Sequence, residues 1–187
     1  MFQYNKYLLY PINIKSKDLK MANTIVTQYG GPYGELGAAL RYLNQRYTMP
    51  DERGRTLLTD IGTEELGHVE MICTILYQLT KGASLQELVN AGLEKHYAQH
   101  GLGIFPTDVN GVPFSMANVG ATGNYEADLT EDLAAEEKAR LTYEHLIDLA
   151  KDPDLINPLL YLRQREVVHY NRFKDLLDVY NKEFEGK

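Results

Sequence analysis

The sequence predicts an all-α fold, a bundle of four long helices with an extended N-terminal arm and a long loop between its second and third helices. Three observations carry this reading. Apolar residues recur at alternating steps of three and four, the period of one helix face. The strong breakers, Pro and Gly, fall mainly between these periodic stretches. And on two of the apolar faces glutamate and histidine occupy positions that belong to the core.

The elements follow in order. Residues 1–17 alternate loosely and contain Pro11, and read as an extended arm with little in a single chain to pack against. The first helix covers about 18–48. Gly30, Gly31 and Pro32 interrupt it, since proline cannot donate a backbone bond and crowds the preceding turn, so the helix either kinks there or begins its main part there. Pro50 breaks the chain and Asp51 offers an N-cap for the second helix, about 51–81, which Gly82 closes. Ser84 with Glu87 has the form of a capping box for a short helix ending around Lys95. From Tyr97 to about Tyr125 the chain is rich in Gly, Asn and Pro, and loops this long are usually functional lids or subunit contacts. The third helix covers about 127–151. The turn DPDLINP launches the fourth, about 154–183. With no evident linker, residues 1–187 read as a single domain.

Composition sets the class. The chain is 44% hydrophobic and 24% charged, enough apolar material for a substantial core. A formal charge of −7 gives no electrostatic footprint for nucleic acid or an anionic membrane surface. No stretch is long and apolar enough to span a bilayer, and the N-terminus lacks the form of a signal peptide, so an intracellular location is expected. The single cysteine, Cys73, lies in the apolar run MICTILY and reads as a small core residue.

The chemistry lies in the polar residues of the apolar faces. On the second helix Leu58, Ile61, Glu65, His68, Ile72, Ile75 and Leu79 form one seam; on the fourth, Leu162, Glu166, His169, Phe173 and Leu176 form another. An unpaired carboxylate in such a seam costs several kcal/mol, so a partner is required. Residues three apart share a helix face, and Glu65 with His68, like Glu166 with His169, can offer an oxygen and a nitrogen to one metal ion. Thirty residues before each Glu-x-x-His stands another glutamate, Glu35 and Glu136 respectively. The motif is therefore written twice, once per helical hairpin. One such pair alone would read as solvated residues on an amphipathic helix, but the doubled form is structural information. Two packed hairpins would bring these six side chains together as the dinuclear carboxylate site of ferritin-like four-helix bundles. Carboxylate oxygen with imidazole nitrogen suits manganese or iron, and spacing alone does not separate the two.

The remaining candidates carry less. Tyr42, two turns beyond Glu35 on the same face, is expected to hold the Glu35 carboxylate through its hydroxyl, or else to be an ordinary core tyrosine. Glu64, Glu70 and Glu137 have the wrong phase and read as surface residues. His96 and His100 fall in what reads as a flexible polar loop.

The segments QYGGPYGELGAALRYLNQRY, TDIGTEELGHVEM, DLAAEEKARLTYEHL and LRQREVVHYNRF, around Glu35, His68, Glu136 and His169, resemble the manganese catalase family, with most likeness to its short spore-coat, CotJC-like branch. The resemblance covers nearly the whole chain. It implies a pair of manganese ions, with no haem, that disproportionates hydrogen peroxide to dioxygen and water. Glu35 and His68 would bind one ion, Glu136 and His169 the other, and Glu65 would bridge them. Glu166 would stand beside the bridging solvent as the proton carrier, and Tyr42 would match a tyrosine on the first carboxylate. The resemblance also implies a homohexamer, in which the arm and the long loop would find something to pack on, and a spore-coat location with other coat proteins as partners. Two other functions remain open: a diiron oxidase of the ferritin type, with Glu166 as a second bridge, and a structural coat protein.

Overall fold

A computed structural model of the chain describes residues 7–97 and 103–184. Seven α-helices occur among them: α1 (Leu19–Ile25), α2 (Thr27–Gly30), α3 (Glu35–Gln45), α4 (Glu52–Thr80), α5 (Leu85–Asn90), α6 (Tyr125–Leu149) and α7 (Pro153–Phe184), with three short 3-10 turns and no strand. α3 pairs with α4 and α6 with α7, and the two hairpins pack together as the bundle, with α1 and α2 extending the α3 side.

The first predicted helix is three helices. Gly31 takes an extended backbone and accepts no further turn, Pro32 follows, and Gly34 is again extended as the N-cap of α3. The break has a functional consequence, because Glu35 becomes the first residue of α3. There the unpaired N–H groups of the helix end favour a carboxylate. Gly30 is required by a close approach: a Cβ on it would lie 2.4 Å from the Thr107 backbone nitrogen, where the long loop crosses α2.

The long helices begin as capped helices should. The Asp51 carboxylate accepts from the N–H groups of Arg53 and Gly54, and the Asn124 side chain from that of Ala127. Ser84 and Glu87 complete the capping box of α5. That helix stops at Asn90 instead of running to Lys95, because Gly92 turns the chain with φ of +71°.

The arm packs on its own chain, against the expectation that a single chain offers it little. Ile12 and Ile14 are buried, the Ile14 N–H donates to Gln78 Oε1 at 2.6 Å, and Gln78 Nε2 donates to the Ile12 carbonyl at 3.1 Å. His96, likewise, is a fully buried strut. Its Nδ1 lies 2.6 Å from Thr107 Oγ1 and its Nε2 3.0 Å from Asn23 Oδ1, tying the loop to α1. Burial lowers its pKa and keeps the ring neutral. His100 lies outside the described residues.

Two apolar clusters fill the bundle. One gathers Ile25, Ile72, Ile75, Leu79, Leu146 and Leu159 at one end, and the other Leu58, Ile61, Leu129, Phe173 and Tyr180 at the opposite end. Each such side chain contributes about 1.5–3 kcal/mol on burial. Between the two clusters lies a polar layer of glutamate and histidine. No helix among the described residues is long and apolar enough to cross a membrane.

Candidate metal centre

The polar layer collects the six side chains of the doubled motif. α3 supplies Glu35, α4 Glu65 and His68, α6 Glu136, and α7 Glu166 and His169, all buried. Their donor atoms form two groups, each within 4.8 Å: Glu35, Glu65, His68 and Glu166 in one, Glu65, Glu136, Glu166 and His169 in the other. Glu65 and Glu166 belong to both.

Glu65 stands at the middle. Its Oε2 lies 2.7 Å from His68 Nδ1 and its Oε1 2.7 Å from His169 Nδ1. The outer carboxylates flank this axis, with Glu35 Oε2 3.4 Å from His68 Nδ1 and Glu136 Oε2 3.6 Å from His169 Nδ1. The imidazoles stack, centroids 5.7 Å apart. Both therefore turn Nδ1 toward the carboxylates.

Their other nitrogens face Glu64, which lies 3.2 Å from His169 Nε2 and 3.6 Å from His68 Nε2 and is paired with Arg165 at 2.5 Å. Glu64 is thus no free surface residue. Its spacing of four from His68 was the available signal, since i and i+4 share a helix face as well as i and i+3. Glu137, by contrast, pairs with Arg140 in a part-exposed position.

Tyrosines hold the outer carboxylates, crosswise. The Tyr42 hydroxyl donates to Glu136, not to Glu35, and Glu35 accepts instead from Tyr143. Burial, reinforced by Glu136 at Tyr42 and by Glu35 at Tyr143, keeps both phenols well above their usual pKa, as donors. Tyr143 escapes a reading of Glu35 and its own helix alone. It is found by the repeat: an offset of 101 residues carries Glu35 to Glu136, Glu65 to Glu166, His68 to His169, and also Tyr42 to Tyr143.

The electrostatics ask for cations. Burial opposes ionisation of Glu65, yet the charges of His68 and His169 outweigh it and pull its carboxyl below the usual range. Burial and the Glu65 charge raise Glu35 to about 7, and burial with the charges of Glu35, Glu136 and Glu65 holds Glu166 well above the usual carboxylate range. Against the effect of burial, Glu65 pushes both imidazoles upward. Glu136 Oε2 and Glu166 Oε1 are buried without a hydrogen-bond partner. Orphaned acceptors facing one another are costly unless positive charge lies between them. Two divalent cations would balance the four carboxylates, and the oxygen and nitrogen donors suit manganese or iron. The residues fit a dinuclear centre.

The description of the family of manganese containing catalases matches residues 1–186. The chain belongs to the manganese catalase family. It is 49% identical over 187 residues to Protein CotJC of Bacillus subtilis (strain 168), covering 100% of this chain and 98% of that one. It is 34% identical over 186 residues to a manganese catalase of Bacillus subtilis, covering 92% of this chain and 68% of the relative. The solved structure of KatB, a manganese catalase from Anabaena PCC7120, superposes with a TM-score of 0.87 at 29% identity, covering 100% of this chain and 84% of that one. The ferritin-like helical bundle is therefore the fold of manganese catalases in this chain.

His145 on α6 is exposed. Cys73 is half-buried beside Tyr29, and burial raises its thiol pKa, the opposite of what an activated nucleophile needs.

Proposed function

We propose that this chain is a dimanganese catalase that disproportionates hydrogen peroxide to dioxygen and water. Glu35 and His68 would hold one ion and Glu136 and His169 the other, with Glu65 shared between the two pairs, and Glu166 would handle protons. The observation that carries the reading is the Glu65 carboxylate, with one oxygen 2.7 Å from the inward nitrogen of each histidine. That is the geometry of a bridge between two sites.

In the balanced reaction one peroxide loses two electrons and two protons to become dioxygen, and a second gains both to become two waters. A bound manganese pair would supply the two-electron store between these halves. The chain's own part is proton handling and exclusion of water. Glu166 borders both ligand groups and has a free Oε1, so it can take a proton from the first peroxide and return it to the second. The apolar clusters above and below keep the centre dry and confine reactive species. Glu64, backed by Arg165, holds both imidazoles with Nδ1 inward.

The likeness to CotJC supports a place in the spore coat, with other coat proteins as neighbours, and a homohexamer is the assembly proposed. Immunolocalisation in sporulating cells and the mass of the purified oligomer test these points.

One observation favours a second reading. Glu166 is shared by both groups, as a second bridging ligand of a diiron oxidase would be. Metal content by mass spectrometry on protein from its native source, with oxygen evolution followed on the same sample, separates the two. About two manganese ions per chain with release of dioxygen is the expected result; iron with no dioxygen would sink the catalase reading.

A further inference from the structure

A cleft reaches the polar layer from the surface between α3 and α6. Its mouth, about 310 Å³, is lined by Pro32, Tyr33, Arg41, Glu131, Ala135 and Lys138. Four of these, Pro32, Tyr33, Arg41 and Ala135, also line the inner chamber, which ends on Glu35, Tyr42 and Glu166. That chamber has about 10 Å³, close to the space needed for one water-sized molecule. Gly34, Ala38 and Ala139 complete its walls, and a chamber this narrow excludes bulky substituents.

Arg41 stands where mouth and chamber join. Its side chain is only 7% exposed, and its Nε is buried with no hydrogen-bond partner. The carboxylate paired with it, Glu131, stays 3.7 Å away and is 43% exposed. Asp132, the buried acid within reach of its charge, leaves both oxygens without a hydrogen bond. A buried guanidinium with an unused donor is costly to keep. The Nε itself has no accessible surface; the terminal N–H groups of the guanidinium are not buried in this way, and the residue lines the passage that leads to Glu166. Lys138, over the Tyr33 ring at 4.9 Å, adds a second positive charge at the mouth.

We propose that Arg41 is the receiving group of this passage: the terminal N–H groups of its guanidinium bind small, unbranched acceptors, a hydroperoxide oxygen or a monoanion such as azide, on the way to Glu166. The hydroperoxide part rests on the catalase reading; the azide part does not. No bond forms or breaks at Arg41. It is a positioning residue, and Glu131 competes with the ligand for its guanidinium.

The test uses full-length manganese-loaded protein, with azide affinity from a spectroscopic titration and, separately, KM and kcat for hydrogen peroxide. Arg41→Met and Arg41→Lys should each weaken azide about tenfold, the scale of one charge-assisted hydrogen bond. KM should rise in parallel, with kcat within about twofold if uniform binding alone is lost. Lysine keeps the charge but lacks the paired terminal N–H groups of the guanidinium, so unchanged azide affinity in Arg41→Lys overturns the proposal. Glu131→Gln, at a half-exposed position, should tighten azide about threefold by releasing the guanidinium, a gain that misfolding cannot imitate. No tightening there, or no azide binding by the wild type, also overturns it. A wild type that binds azide through Arg41 but evolves no dioxygen would sink the catalase reading and leave this one standing.

Discussion

Tyr42 and Tyr143 are exchanged across the bundle: each occupies the same place in its own half of the repeat, and each donates its hydroxyl to the outer carboxylate of the other half. Each phenol thus ties one hairpin to the other at the level of the centre. A hydrogen bond to a buried charged group contributes about 1.5–3 kcal/mol. Tyr42→Phe and Tyr143→Phe should therefore each lower manganese affinity about 10–100-fold by freeing a ligating carboxylate to turn. Competition against a fluorescent chelator measures this; unaltered affinity in both variants would show that the phenols only fill space.

Glu64 should behave as part of the centre although it sits at its edge. It faces the outer nitrogens of both histidines and is backed by Arg165. Glu64→Ala removes the partner of two buried imidazoles and leaves Arg165 unpaired, so manganese affinity should fall at least about tenfold. Arg165→Met, which keeps the Glu64 contacts, should cost less. Equal losses in the two variants would mean that the ion pair matters and the histidine contacts do not.

Glu166→Gln separates the two roles open to this residue. A glutamine keeps the shape but accepts no proton. If Glu166 carries protons, manganese content should stay near the wild-type value while dioxygen release falls about a hundredfold or more. Metal content measured by mass spectrometry decides it, and loss of an ion with the substitution would make Glu166 a ligand.

Removing the metal should weaken the fold. Four carboxylates and two imidazoles are buried in one layer, and ligand present at a thousand times its dissociation constant stabilises by about 4 kcal/mol. Chelation should then lower Tm by about 10 °C for a chain of this size. A scan with and without chelator reads this directly, and coincident melting curves would contradict a site that needs cations.

The cap of α4 makes a pH-dependent contribution away from the centre. Bonds from Arg53, opposed by a little burial and helped by Tyr180 and the Arg53 and Gly54 N–H groups, lower the Asp51 pKa to about 2. The folded pKa is depressed, so the contribution is present above the ordinary carboxylate range and is lost as pH falls toward 2. Asp51→Ala should cost about 1 kcal/mol at neutral pH. The gap between wild type and variant in urea unfolding should hold down to about pH 4.5 and narrow below it. A gap that narrows already near pH 6 would assign the effect to another group.

The doubled Glu-x-x-His with its glutamate thirty residues earlier was legible because helical period converts spacing into direction, and because identical spacings in two hairpins imply one meeting place. The apolar seams were legible for the same reason, and with them the all-α class. What sequence periodicity missed lay across helices. Tyr42 shares a face with Glu35, yet its ring spans the bundle to Glu136, a matter of how α3 sits against α6. The phase of Glu64 places it outside the apolar seam, but two stacked imidazoles bring their outer nitrogens round to it.

By itself the sequence determined the helical faces, the repeat and the identity of the side chains that converge, since these depend on backbone geometry common to all helices. The tertiary structure alone decided which tyrosine serves which carboxylate, that Glu64 backs both histidines, that Ile12 and Ile14 of the arm are buried on α4, and that Arg41 lines the passage. Those are contacts between segments far apart in the chain. They are set by crossing angles and close packing, which no spacing along one helix encodes.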